Sequence, residues 1–172
     1  KKKSEDVHIF EDVSDIGDGW EFKSLDNDIP IRSDSTQAEI MVHDANDGFT
    51  CFKVEIKMRL PECLDVENDK RSENMEEFTI CSYITLRSGF SRVVEIRTEI
   101  KNNIKDHRLR VLFPSKTSAK NSVAAGLFGL TERPIAPPDS SKWRFSPDTY
   151  YPHHYFFHIY DAENKQGTDN TY

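Results

Sequence analysis

The 172 residues hold 23 Lys and Arg against 30 Asp and Glu, a formal net charge of −7, with 36% hydrophobic residues. That length suits one domain, 1–172, able to bury a core without disulfide or metal staples, and eleven Phe with six Tyr argue against disorder. The acidic balance offers no Lys/Arg stripe to a phosphate backbone, and no apolar run reaches the ~20 residues that cross a bilayer, so neither nucleic acid nor membrane is an expected partner.

Strict period-two alternation is the main local signal, because a strand sends successive side chains to opposite faces of its sheet. Near the N-terminus, Asp15-Ile16-Gly17-Asp18-Gly19-Trp20 is glycine-rich, but Asp18 would repel a phosphate and the spacing is not an EF-hand. Ala38 to Asp44 is a candidate strand. Phe52, Val54, Ile56, Met58 and Leu60 alternate with charged residues until Pro61, which predicts a strand with one dry and one wet face. Residues 65–74 form a charged loop. Phe78 to Leu86 alternates again, Ser88-Gly89 supplies a turn, and Val94 to Ile100 follows, predicting an antiparallel hairpin. Asn102-Asn103 interrupts the pattern before Leu109, Val111 and Phe113 make a fourth strand that Pro114 stops. Residues 115–122 are Ser/Lys-rich and 133–147 are proline-rich, both loops. Leu127 to Thr131 and the aromatic stretch His154 to Tyr160 are the remaining strand candidates. No segment has convincing helical periodicity. Long antiparallel strands with one dry face need a second layer, so the expected fold is an all-β antiparallel sandwich.

Catalytic patterns are scarce. His154 and His158 in a strand would sit roughly 13 Å apart at ~3.3 Å per residue, too far for one zinc, so no metal site is expected in the chain. No GxSxG elbow is present, and Cys51, Cys63 and Cys81 lie in no catalytic context. Three thiols without CxxC spacing suit a reducing compartment and a cytoplasmic location. Most carboxylates read as solvated surface. The run Lys105-Asp106-His107-Arg108-Leu109-Arg110 stacks charges at the start of an apolar strand and reads as a structural network. In that reading Asp106 caps a turn and pairs with Arg108 or Arg110, while His107 donates to a carbonyl.

That same stretch, Val94 through Pro114, closely resembles the "rTxxxNxxkDHRLRVLFP" segment of bacterial glycoside hydrolase family 38 α-mannosidases. Phe10 to Phe22 resembles the family's "FEDxGDxGDxYxF" motif, Leu60-Pro61 with Arg71-Ser72 its "LPxxL…RS" loop, Thr131-Glu132-Arg133-Pro134 its "vxERP" turn, and Tyr151-Pro152-His153 with Phe156-Phe157 its "HPxxxFv" strand. The resemblance implies a fragment of the C-terminal, mutarotase-like β-sandwich region. It implies a parent enzyme that hydrolyses α-mannosides with retention, using an Asp nucleophile, a second carboxylate and zinc in a barrel absent from these residues. The chain would then support that barrel and part of the substrate cleft, with the rest of the parent chain and an α-mannoside as partners. The aromatic of the "GDxYxF" motif reaches the active site in the family, and here it is Trp20, with Asp18 beside it. Trp20 is therefore either a sugar-stacking residue or a core residue on a strand.

Two other functional classes stay open. A stand-alone carbohydrate-binding module would expose aromatics, for which Trp20, Trp143, Tyr150, Tyr151 and Tyr155 are the candidates. A dimerisation domain would pair the aromatic C-terminal strand with a second copy, giving a homo-oligomer.

Overall fold

A computed structural model describes residues 8–89, 92–115, 117–144, 147 and 151–160. Two compact units divide the chain, Lys1–Pro114 and Ser115–Tyr172.

The first unit contains β1 (Ile9–Ser14), β2 (Ile31–Arg32), a 3-10 turn at Ser33–Ser35, β3 (Ala38–Asn46), β4 (Phe49–Pro61), β5 (Leu64–Asp65), β6 (Lys70–Arg71), β7 (Met75–Arg87), β8 (Val94–Ile100) and β9 (His107–Leu112). Strands β3-β4-β7-β8 make one antiparallel sheet and β2-β1-β9 a second, while β5 and β6 form a small hairpin. Long β4 and β7 pair over their full length, from Phe49 opposite Arg87 to Pro61 opposite Met75. Their alternating dry residues supply the core: Ile56, Met58 and Leu60 from β4 and Phe78 and Ile80 from β7 pack with Phe10 of β1 and with Ile104. Leu109 of β9 and Ile31 of β2 close over the same cluster. Two sheets thus share one apolar interior, which makes this unit an antiparallel β-sandwich. Among the described residues the 3-10 turn is the only helical element.

Several boundaries differ from the alternation pattern for identifiable reasons. Strand β1 carries Glu11 and Asp12, whose charges hide its strand character, yet all six of its residues are buried. The charged loop at 65–74 holds the β5–β6 hairpin, whose tip residue Asp69 has a φ of +50°. Strand β3 runs two residues beyond Asp44 and bulges between Val42 and Asp44, so its register slips against β4. The dry side of β8 is not covered: Val94, Ile96 and Ile100 are exposed on a sheet edge.

The second unit is a three-stranded antiparallel sheet in the order β11-β10-β12, with β10 at Asn121–Ala125, β11 at Leu130–Pro134 and β12 at Phe157–Ile159. The strand expected at Leu127 to Thr131 instead straddles a tight turn. Gly126 N–H donates to the Gly129 carbonyl at 2.8 Å, and Gly129 adopts a φ of +151° that other residues avoid. Leu127 and Phe128 are left in solvent at that turn. The aromatic strand is shorter than its sequence suggests, because His154 lies before β12 and its N–H donates to the Ala125 carbonyl at 2.9 Å.

Candidate functional site

At one end of the first unit three irregular segments converge, residues 15–29, 62–74 and 101–106. Asp15 N–H donates to the Asp106 carbonyl at 2.9 Å, Leu64 N–H to Asp106 Oδ2 at 3.2 Å, and Lys105 N–H to the Glu62 carbonyl at 3.0 Å. Asp106 can tie both neighbours because its φ of +53° turns the chain sharply, a conformation Asp tolerates better than most residues.

The segment that follows β1 is a hairpin-like loop locked by its own aspartates. Ile16 N–H donates to the Lys23 carbonyl at 2.7 Å, and Asp15 Oδ1 accepts from Gly17 N–H at 2.9 Å. Gly17 is required sterically, since a Cβ there would lie 1.8 Å from the Glu21 carbonyl oxygen. At the tip, Asp18 Oδ1 accepts from the N–H groups of Trp20 at 2.8 Å and Glu21 at 2.9 Å. These donors, Trp20 first and then Glu21, hold the Asp18 carboxyl below its ordinary value of 3.8. Arg108 on β9 lays its guanidinium 4.2 Å from the centre of the Phe22 ring and so pins the returning side of the loop.

The result is a braced loop whose tip carries Trp20 at 97% exposure. The alternative of a core Trp on a strand is thereby overturned, because the residue sits on an irregular turn with its indole in solvent. Asp18 lies next to it, with Oδ1 engaged by the loop backbone.

Beneath the loop is a charged network that joins His107 and Arg110 of the 105–110 run to partners the local sequence did not connect with them, Asp12, Arg71, Asp28 and Glu11. Asp12, with no exposed surface, faces His107 Nδ1 at 2.5 Å and is paired with Arg71 Nη2. Its direct partner across the β1–β9 ladder is Leu109, so the bond to His107 is the diagonal contact two residues away. His107 Nε2 lies 3.1 Å from Asn102 Oδ1, which also accepts from Ile104 N–H at 3.0 Å. Asp28 approaches from the loop, with Oδ2 accepting from Ser14 N–H at 2.5 Å and Oδ1 standing 3.9 Å from Arg71 Nη1. On the other face Arg110 pairs with Glu11 directly across the ladder.

These pairings differ from those the local sequence suggested. The partner of His107 is the Asp12 carboxylate rather than a carbonyl, that of Arg110 is Glu11 from β1, and Asp106 is spent on the backbone of Leu64. All are long-range in sequence; the β1–β9 pairing brings together the two on His107 and Arg110, and the approach of β5 to the 101–106 segment supplies the one on Asp106. Among the described residues no group of three or more His, Cys, Asp or Glu side chains is arranged to hold a metal ion. Of the aromatics considered for a sugar platform, Trp143, Tyr151 and Tyr155 are exposed in the second unit, while Tyr150 lies outside the described residues.

A two-sheet antiparallel body with a polar, loop-built end defines a β-sandwich module. Comparison with known proteins says of which kind. The family described as "Glycosyl hydrolases family 38 C-terminal domain" matches residues 1–167. The chain belongs to glycosyl hydrolase family 38, as part of its C-terminal domain.

A protein of Halalkalibacterium halodurans, provisionally named mannosylglycerate hydrolase, is 29% identical over 152 residues, covering 79% of this chain and 16% of its own length. An α-mannosidase from Enterococcus faecalis V583 superposes with a TM-score of 0.74 at 27% identity, over 78% of this chain and 17% of that one. A family 38 glycosyl hydrolase structure from Enterococcus faecalis gives a TM-score of 0.71 at 27% identity, over 75% and 17%. The 172 residues therefore span about one sixth of the length of these relatives.

Proposed function

We propose that the chain is one module of an enzyme that hydrolyses α-mannosides with retention, and that it buttresses the catalytic barrel and forms part of the substrate cleft. Catalytic carboxylates and zinc belong, in this reading, to the remainder of the polypeptide. The observation that carries it is Trp20, an indole held almost wholly in solvent at the tip of a loop braced by Asp15, Asp18 and Arg108. Ordering a large apolar ring outside any core has a cost unless the ring meets a partner, and an indole face stacks on the C–H face of a pyranose. Asp18 contributes by holding the Trp20 backbone at the loop tip and by offering Oδ2 toward a sugar hydroxyl. The names of the relatives support a mannoside as substrate. Three free thiols, at Cys51, Cys63 and Cys81, fit a cytoplasmic setting.

The test is kinetic and uses the parent enzyme. Trp20→Ala should raise KM for an aryl α-mannoside about threefold to tenfold, the equivalent of ~0.5–1.5 kcal/mol of stacking, and Trp20→Tyr should restore most of it. Unchanged kinetics in Trp20→Ala would remove the loop from the cleft. The 172-residue chain by itself should neither release nitrophenol from that substrate nor take up stoichiometric zinc.

A carbohydrate-binding module remains as a second reading because of a separate cavity of about 330 Å³ in the second unit, lined by Tyr151, His153 and Phe157 among others. Saturable perturbation of those three residues by mannose oligosaccharides would favour it.

A further inference from the structure

The two layers of the first unit are unequal in length. Strands β4 and β7 have 13 residues each, whereas β1 and β9 have 6. At ~3.3 Å per residue the covering strands reach over roughly half of the sheet they face. The core lies under that half, at Ile56, Met58, Leu60, Phe78 and Ile80. On the other half of the same face Ile40, Val42 and Val94 are 67%, 61% and 53% exposed.

Strand register defines what this open half presents, because directly paired residues point to one side of a sheet. Val42, Phe52, Ile84 and Ile96 make a row across all four strands, and Leu86 pairs with Val94 beyond it. Toward the core, Ile40 and Val54 continue into Ser82 and Thr98, whose hydroxyls lie 3.1 Å apart and satisfy each other. No charged side chain falls in these rows. The opposite side of the same strands carries Lys53 with Glu55, Arg87 with Glu95 and Arg97 with Glu99, all in ion pairs. A patch without charge, with its central hydroxyls already spent, fits apolar protein surface rather than an ionic or sugar ligand. Four strands ~4.8 Å apart and about six residues long make it roughly 400 Å². A second copy of the chain is a poor occupant at that size, since a stable dimer needs about 800 Å² from each partner. A segment of the same polypeptide is not so limited, because its tether supplies a high effective concentration. The chain spans 16% and 17% of the length of its relatives, which leaves ample polypeptide for that role.

We propose that the open half of the β3-β4-β7-β8 sheet is the docking face for an apolar stretch of the parent polypeptide outside these 172 residues, laid over it as a continuation of the β2-β1-β9 layer. The inference rests on the reading of the chain as one module of a longer enzyme, and it adds the face by which the module is held. Hydroxyl-radical oxidation, read by mass spectrometry, is compared in the unmodified parent enzyme and in a dilute solution of the 172-residue chain. Ile40, Val42 and Leu86 should be oxidised about tenfold more slowly in the parent. Equal rates in the two proteins would overturn the docking face, and so would protection in the parent that is lost on dilution, which would assign the face to a second copy. Val42→Asp places a charge in the patch and should lower the thermal midpoint of the parent more than that of the 172-residue chain. An equal fall in both would put the cover within the 172 residues and overturn the proposal. Neither readout depends on catalysis. Protection at Ile40 and Val42 with unchanged Trp20→Ala kinetics would leave this face standing and remove the loop from the cleft. A KM effect at Trp20 with Ile40 and Val42 unprotected would do the reverse.

Discussion

Asp12 shows how much of the first unit depends on one carboxylate. It is wholly buried and meets both Arg71 and His107, so its removal strands a buried guanidinium with only Asp28 near it. Breaking one partner of such a network costs far more than an exposed ion pair contributes, about 3–5 kcal/mol. Asp12→Asn should lower stability by about that amount, read as a fall in the urea midpoint with an unchanged m-value. His8 gives a prediction of the opposite character. Its imidazole lies between the rings of Phe10 and Phe113, 4.8 and 5.2 Å away, and burial holds it below its ordinary 6.5. The unfolded chain therefore takes up a proton before the folded one does. The resulting stability is complete above pH 6.5 and declines as pH falls through the lower folded value. His8→Phe should flatten the slope of unfolding free energy as pH falls below 6.5.

Strands β4, β7, β8 and β9 were legible in advance because their dry and wet residues alternate without interruption, and the observed ends fall within a few positions of the expected ones. Strand β1 was hidden by Glu11 and Asp12, which read as surface carboxylates until Arg110, Arg71 and His107 are placed against them. The same blindness covers the candidate site: Trp20, Asp18 and the 106–110 run were legible as motifs, but Arg71 and Asp28 acquire meaning only through long-range pairing. Alternation also overstates burial at the sheet margins. On β3 and β8 the inward residues Ile40, Val42, Val94 and Ile96 extend past the covering β2-β1-β9 sheet and stay exposed, Ile40 at 67%. Their contribution to stability should be small. Ile40→Thr with Val42→Thr is expected to change unfolding free energy by no more than ~0.5 kcal/mol and to reduce self-association in sedimentation. Ile80→Ala, inside the core on the same face, should cost about 2–5 kcal/mol.

The division after Pro114 separates two bodies of unequal cohesion. Every residue of the principal hydrophobic cluster, from Phe10 to Leu109, belongs to Lys1–Pro114, which also holds the Trp20 loop and the Asp12 network. Among the described residues the second unit buries only Ala124 and Ala125 as apolar side chains, beneath a sheet of three short strands. Three strands need a covered apolar face to persist in water, and two alanines supply little of one. A chain ending at Pro114 should therefore unfold cooperatively, with a thermal midpoint within a few degrees of that of the 172-residue chain and an unaltered Trp20 emission spectrum. Residues 115–172 made alone should lack a cooperative transition and dispersed amide resonances. A folded, cooperative second unit would mean that strand pairing there is sustained by more than its interior, whereas an unfolded first unit would contradict the assignment of the core to β1, β4 and β7. Agreement on both counts would place the autonomous fold of this family 38 module in its first 114 residues, where variants of the Trp20 loop and the Asp12 network can be interpreted without the rest of the chain.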